Sequence, residues 1–151
     1  GFTGFFLDTV DVALELEDTD PEDFAGSKQA LEGFVRELRK RHPHAFIIIN
    51  NGLPLLQNLS DVIDAVAVED LYTHYDFTTR RALPTQAEIT TQKERLLDDF
   101  SKETGKPVLV LLYDNDIRSR LIKRSRARCR AKGYHWYATS IDLMHLGDIS
   151  R

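Results

Sequence analysis

The chain has 151 residues, 42% of them apolar and 9% aromatic, which is enough for one domain with a proper core and excludes a disordered or collagen-like chain. Twenty basic against 24 acidic residues leave a net charge of -4, which argues against a dedicated nucleic-acid binder. The single cysteine, Cys129, excludes an internal disulfide and a thiolate zinc site, and no apolar run approaches the roughly 18 residues of a membrane span. Along the chain, short apolar runs alternate with amphipathic stretches, the change of period expected of β/α units. Strands are predicted over 2–7, 45–49, 65–68, 108–112 and 134–138. They close in turn on Asp8, on Asn50-Asn51-Gly52, on Glu69-Asp70, on Tyr113-Asp114 and on Thr139-Ser140. The nearly unbroken apolar runs at 2–7, 45–49 and 108–112 fit strands of a parallel sheet buried on both faces.

Helices are predicted between these strands. The first, over 27–41, puts Leu31, Phe34, Val35 and Leu38 on one face and stops at His42-Pro43. A shorter one over 53–63 carries a break at Asn58-Leu59-Ser60. The third, over 85–103, opens on Thr85-Gln86-Ala87-Glu88, a capping box, and repeats Ile89, Leu96, Leu97 and Phe100 on one side before Gly105. The last, over 117–132, stops at Gly133. The order is β-α-β-α-β-α-β-α-β, without internal repeat or linker, so residues 1–151 read as a single α/β domain. Two stretches read as loops: the acidic 11–26 and the aromatic, arginine-bearing 72–84. Both follow strand ends, where α/β folds place their chemistry.

In a parallel sheet all five strand ends point the same way, so their polar residues converge on one face. Turn and cap chemistry accounts for any one of these residues equally well. Asp8 and Glu69 escape that reading best, because each abuts an apolar run well before the next helix. Two carboxylates facing one cleft suit glycosidic hydrolysis, one donating a proton and the other acting as nucleophile or activating water. Tyr72, Tyr75, Tyr113, Trp136 and Tyr137 offer faces for sugar stacking, and Asn50 and Asn51 offer hydroxyl recognition. Carboxylate pairs equally hold Mg²⁺, and spacing alone does not choose. His42 and His44 flank a proline before a strand and read as surface residues. His74 lies in the aromatic loop within reach of a substrate, and with His135 and His145 none of the five has the spacing of a metal motif. No metal site and no cofactor is expected. The 118–132 stretch holds eight basic residues in fifteen and reads as a solvated helix face. The acidic 15–23 stretch reads as a solvated loop able to attract a cationic chain, and Cys129 as a buried structural thiol.

Five segments carry a resemblance. GFTGFFLDTVD at 1–11 resembles the strand-plus-aspartate motif of the endo-α-1,4-polygalactosaminidase family. FIIINNG at 46–52 resembles that family's next strand, DAVAVEDLY at 64–72 its glutamate strand, and PVLVLLYDND at 107–116 with RCRAKGYHWYATSIDLMHLG at 128–147 its last two strands and closing helix. The likeness extends to hydrolase domains associated with Pel exopolysaccharide. Thr9 stands where the family commonly has Asn, and Asn51-Gly52 after Asn50 is a second departure. The resemblance implies a (β/α)₈ TIM barrel acting inside α-1,4-linked galactosamine or N-acetylgalactosamine chains, in the periplasm or outside the cell. It maps the catalytic aspartate onto Asp8 and the glutamate onto Glu69, the pair already chosen on position. Asp11, Asn50, Asn51, Tyr72, Tyr113, Asp114 and Trp136 are the expected substrate contacts. Asp8 is read as nucleophile and Glu69 as general acid/base, with the opposite order open, and a retaining outcome is preferred to an inverting one. The five strands would be the fourth to eighth of a partial barrel, whose first three β/α units would lie upstream of Gly1. A second reading is a non-catalytic carbohydrate-binding remnant. A receiver-like module is disfavoured, because neither late strand ends in the lysine such a domain needs.

Overall fold

The computed structural model describes residues 1–144 and 146–149. Its strands are β1 (Gly4–Leu7), β2 (Phe46–Asn50), β3 (Ala65–Val68), β4 (Thr73–Asp76), β5 (Arg81–Pro84), β6 (Val108–Tyr113), β7 (His135–Thr139) and β8 (Asp148–Ile149). Its helices are α1 (Val12–Thr19), α2 (Ser27–Arg41), α3 (Leu56–Leu59, entered through a 3₁₀ turn at Leu53–Leu55), α4 (Ala87–Thr104) and α5 (Arg120–Lys132). Strands β1, β2, β3, β6 and β7 pair in that order, all parallel, and β8 adds antiparallel to β7. The order never reverses, unlike a dinucleotide-binding sheet. The molecule is thus a mixed α/β fold built on a mostly parallel sheet.

Side chains alternate across the sheet with a period of two. Ile47 and Ile49, Val66 and Val68, Val108, Val110 and Leu112, and Trp136 and Ala138 lie in the core beneath the helices. Phe6, Ile48, Ala67, Leu109, Leu111 and Tyr137 then occupy the opposite face, in register with one another across the strands. That parity carries on past the strand ends. Asp8, Asn50, Glu69, Tyr113 and Thr139 inherit the face of Phe6, Ile48, Ala67, Leu111 and Tyr137. At the start of the sheet, a Cβ on Gly4 would stand 2.2 Å from the Phe46 carbonyl oxygen, so β1 approaches β2 as closely as it does only with glycine there.

Several expectations require correction. The acidic stretch is helical over α1, whose Leu14 is buried against the core, and is not a loop there. The aromatic stretch is the antiparallel hairpin β4–β5, not a loop. On α2, Val35 is fully buried but Phe34 is 56% exposed. On α4 the buried stripe is Thr90, Glu94, Leu97 and Phe100, turned about one residue from the predicted one, and Ile89 and Leu96 are left largely exposed. A glutamate can join that stripe because it is paired. Glu94 receives both arms of Arg128 at 2.8 and 2.9 Å. The predicted capping box does not form: α4 starts at Ala87 with no side-chain cap, and the Thr85 hydroxyl donates instead to the Asp70 carbonyl at 3.1 Å. Its end is as predicted, with Gly105 left-handed and its N–H on the Ser101 carbonyl. Helix α5 begins three residues later than predicted, because Ser119 caps it by accepting from Ile122 N–H. Its basic face is not simply solvated. Arg126 and Arg130 lie over the Trp136 ring, and Lys132 pairs with Asp98. After β7 the described residues turn back into β8 rather than forming a closing helix.

Candidate active site

Four strand ends carry the site, and the first three bend sharply to do so. Thr9 (φ 54°), Asn51 (φ 62°) and Asp70 (φ 53°) follow Asp8, Asn50 and Glu69, and all three sit in the left-handed region that residues with a Cβ seldom adopt. The bends turn the chain away while leaving the preceding side chains on the inherited face.

There the side chains form one hydrogen-bonded row. Asn50, only 2% exposed, donates through Nδ2 to Asp8 Oδ1 at 2.8 Å and to Glu69 Oε1 at 3.1 Å. An acceptor between two carboxylates would be repelled, so the amide nitrogen is necessarily the atom facing them. Tyr113 donates its hydroxyl to the same Glu69 oxygen at 3.2 Å, and Thr9 N–H donates to Asp8 Oδ1 at 2.9 Å. Burial, with Glu69 next to it, pushes the Tyr113 hydroxyl well above the ordinary tyrosine range, so it remains a donor. Each carboxylate therefore has one oxygen engaged twice. The other, Asp8 Oδ2 and Glu69 Oε2, accepts no hydrogen bond from the described residues. Asn50 Oδ1 is buried with no partner among them.

The main chain of Glu69 is held as well. Its N–H donates to Asn51 Oδ1 at 3.1 Å, and its carbonyl accepts from Lys93 Nζ at 3.0 Å. Behind it, Thr73 Oγ1 accepts from Tyr113 N–H at 3.1 Å, tying the hairpin to β6. A groove of about 430 Å³ flanks Glu69 between α1 and α4, bordered by Asp11, Asn51, Asp70, Ile89, Lys93 and Leu96.

The structure thus brings Asp8, Asn50, Glu69 and Tyr113 together, with Asn51 bracing the row and Asp11 on its flank. It does not bring three of the expected contacts there. Tyr72 is buried with its hydroxyl on Glu94 Oε1 at 2.8 Å and the Arg128 guanidinium 5.1 Å from its ring. Trp136 has the opposite parity and lies on the helix side under Arg126, 4.4 Å from the ring centre. Asp114 accepts from Ser119 Oγ at 2.6 Å and Asp116 N–H at 3.0 Å, shaping the approach to α5. Sequence reasoning missed Lys93 and Thr73. His42 and His44 are exposed as expected, while His145 lies outside the described residues. Cys129 is fully buried, which pushes its thiol up to about 12. Among the described residues no group of three or more His, Cys, Asp and Glu side chains could hold a metal ion, and no helix is long and apolar enough to cross a membrane.

Comparison with known proteins bears on the whole chain. The glycoside hydrolase domain of PelA from Pseudomonas aeruginosa is similar over 98% of this chain, with 26% identity and a TM-score of 0.80. A variant of that domain is similar over the same share, with 25% identity and a TM-score of 0.80. This chain spans 57% of either solved domain. No curated protein sequence matches it. The profile of glycoside-hydrolase family GH114 matches residues 1–151, the paired strand-end carboxylates lie within that match, and the chain belongs to that family.

Proposed function

We propose that this chain carries the catalytic face of a (β/α)₈ hydrolase that cleaves α-1,4-linked galactosamine or N-acetylgalactosamine polysaccharide within the chain. Family GH114 includes endo-α-1,4-polygalactosaminidases. The observation that carries the reading is the Asn50 bridge. Bonds of 2.8 and 3.1 Å from one nitrogen limit how far apart the two carboxylate oxygens can lie. The spread of an amide's two N–H directions puts those engaged oxygens, Asp8 Oδ1 and Glu69 Oε1, roughly 5 Å apart, which supports a close carboxylate pair. A retaining pair needs about 5–5.5 Å, and an inverting pair about 6.5–9.5 Å.

Asp8 then attacks the anomeric carbon through Oδ2 while Glu69 protonates the departing oxygen from Oε2. Glu69 next removes a proton from the water that releases the sugar. Asp11 and the groove beside Glu69 offer acidic walls to a cationic amino sugar. The sequential parallel strands take the place of the fourth to eighth barrel strands, with further β/α units pairing on β1, and the setting is periplasmic or extracellular. The 57% span favours a second reading, in which the chain alone binds carbohydrate without cleaving it.

The test uses the full-length natural polypeptide. Asp8→Asn and Glu69→Gln each remove nearly all hydrolysis of an unactivated oligosaccharide with the fold intact by circular dichroism. On a nitrophenyl glycoside, whose leaving group needs no proton, kcat/KM recovers for Glu69→Gln and not for Asp8→Asn. Equal recovery refutes the roles, and wild-type activity in either variant refutes the site.

A further inference from the structure

The segment that follows Glu69 is held by a helix that begins well after it in sequence. Lys93 Nζ donates to the Glu69 carbonyl at 3.0 Å and to the Asp70 carbonyl at 3.4 Å. Thr90 Oγ1 donates to the Leu71 carbonyl at 2.8 Å, and Glu94 Oε1 accepts from the Tyr72 hydroxyl at 2.8 Å. Positions 90, 93 and 94 share one face of α4 by their i, i+3, i+4 spacing. Three side chains on that face therefore grip four consecutive residues, 69 to 72. Asp70, the second of them, is the one forced to φ 53°. Short of an outside hold, such a residue relaxes toward ordinary backbone angles, and Glu69 turns with it.

Lys93 is the member that reaches the peptide of Glu69 itself. It is half-buried, and burial pushes its ammonium below the ordinary lysine range while the carboxylates of Asp70, Asp11 and Glu69 push it back up. Water can satisfy two carbonyls at the surface without that desolvation cost. What an ammonium on a helix adds is a fixed position, set by the packing of Leu97 and Phe100 into the core on the same helix.

We propose that Lys93 is a positioning residue for Glu69: by clasping the carbonyls of Glu69 and Asp70 it fixes the strained turn and aims Oε2 at the leaving oxygen. This rests on the reading of Glu69 as general acid. Misplacing a proton donor harms a substrate with a basic leaving group far more than one with an activated leaving group, whereas a general loss of folded enzyme harms both alike.

The experiment compares kcat/KM on an α-1,4-linked galactosamine oligosaccharide with kcat/KM on a nitrophenyl galactosaminide, in the full-length natural polypeptide. In Lys93→Met the oligosaccharide value falls at least about thirtyfold and the nitrophenyl value less than about threefold, the separation expected of a misaligned group. Lys93→Arg, which keeps the charge and can donate to the same carbonyls, recovers most of the loss. Thr90→Val, which removes only the neutral bond to Leu71, moves the ratio the same way by a smaller factor and serves should Lys93→Met not fold. A ratio unchanged in the folded variants overturns the proposal, and so does parallel loss on both substrates. Glu69→Gln in the same assay separates the two levels. If it keeps wild-type activity, the assignment of Glu69 falls and takes this proposal with it. If it is inactive on the oligosaccharide while the Lys93→Met ratio stays flat, only the role of Lys93 falls.

Discussion

Asn50 is the residue on which the row depends, and its burial decides how it works. At 2% exposure, with both amide hydrogens spent on Asp8 and Glu69, it has no donor left for a sugar hydroxyl. It acts as a spacer between like charges. Asn50→Ala removes the spacer, and the two carboxylates are then free to rotate apart. A displacement of about 1 Å costs on the order of 10²-fold in rate. Stopped assays on oligosaccharide are expected to show that loss mainly in kcat, with KM little changed. A loss confined to KM would mean that Asn50 contacts substrate after all. Parity explains why this much was legible in the sequence and why part of it was misread. Asp8, Asn50, Glu69 and Tyr113 follow from strand runs whose ends are clear, and counting by twos places them together. The same count excludes Trp136, which lies three residues before Thr139, so that error was avoidable. Tyr72 was not open to such counting, because the left-handed turn at Asp70 resets the alternation. Lys93 lies 24 residues from Glu69 on a helix of ordinary amphipathic pattern, and only the packed structure brings its ammonium to the Glu69 carbonyl.

At the scale of elements, α4 joins the site to the rest of the molecule through a charged layer against α5. Burial alone would raise the Glu94 carboxyl, but hydrogen bonds from Arg128 and Tyr72, with the charges of Arg128 and Lys132, outweigh it and hold it below the usual range. Asp98 behaves alike: Lys132 and Tyr134 overcome the effect of burial. Both groups thus bind protons less readily folded than unfolded. Their stabilisation is complete above the unfolded carboxylate values of about 4 and is lost as pH falls through the lower folded ones. Thermal unfolding is expected to show Tm falling below about pH 4, with a flatter acid limb in Glu94→Gln/Asp98→Asn. An unchanged acid limb in that variant would assign the loss to other carboxylates. Glu94→Ala, which strands the buried Tyr72 hydroxyl, should cost about 2–3 kcal/mol by denaturant titration. Helices α2 and α5 were legible from their stops and periodicity. Helix α1 was not, since its acidic composition outweighed the single buried Leu14 in a stretch of eight residues. The β4–β5 hairpin has strands of four residues, too short for alternation to register against its charged neighbours.

For the molecule as a whole, the two faces of the sheet differ in kind. One is covered by helices. The other exposes Phe6 at 52%, Phe46 at 48% and Ile149 at 58%, on the side where the alternation also places Ile48, Leu109 and Leu111. Strand β1 has a partner on one side only among the described residues, so its outer N–H and carbonyl groups are available to another strand. An edge of this kind, apolar and lacking an inward-pointing charge, is an aggregation template. Produced as these 151 residues alone, the protein is expected to self-associate at micromolar concentration, and Phe6→Lys should shift it toward monomer by placing a charge on the edge strand's open face. Sedimentation velocity reads both. The same substitution lies two residues before Asp8, which follows that strand, so circular dichroism must show the fold retained before the change in association is credited to the edge. A sample that stays monomeric at roughly 100 µM would show that the open face is tolerated by water as it stands, as isolated apolar residues on a surface commonly are. If association occurs and Phe6→Lys abolishes it, then the face that supports Asp8, Asn50 and Glu69 from below is also the face that seeks a partner. Covering the sheet would then act on β1, the strand that leads into Asp8.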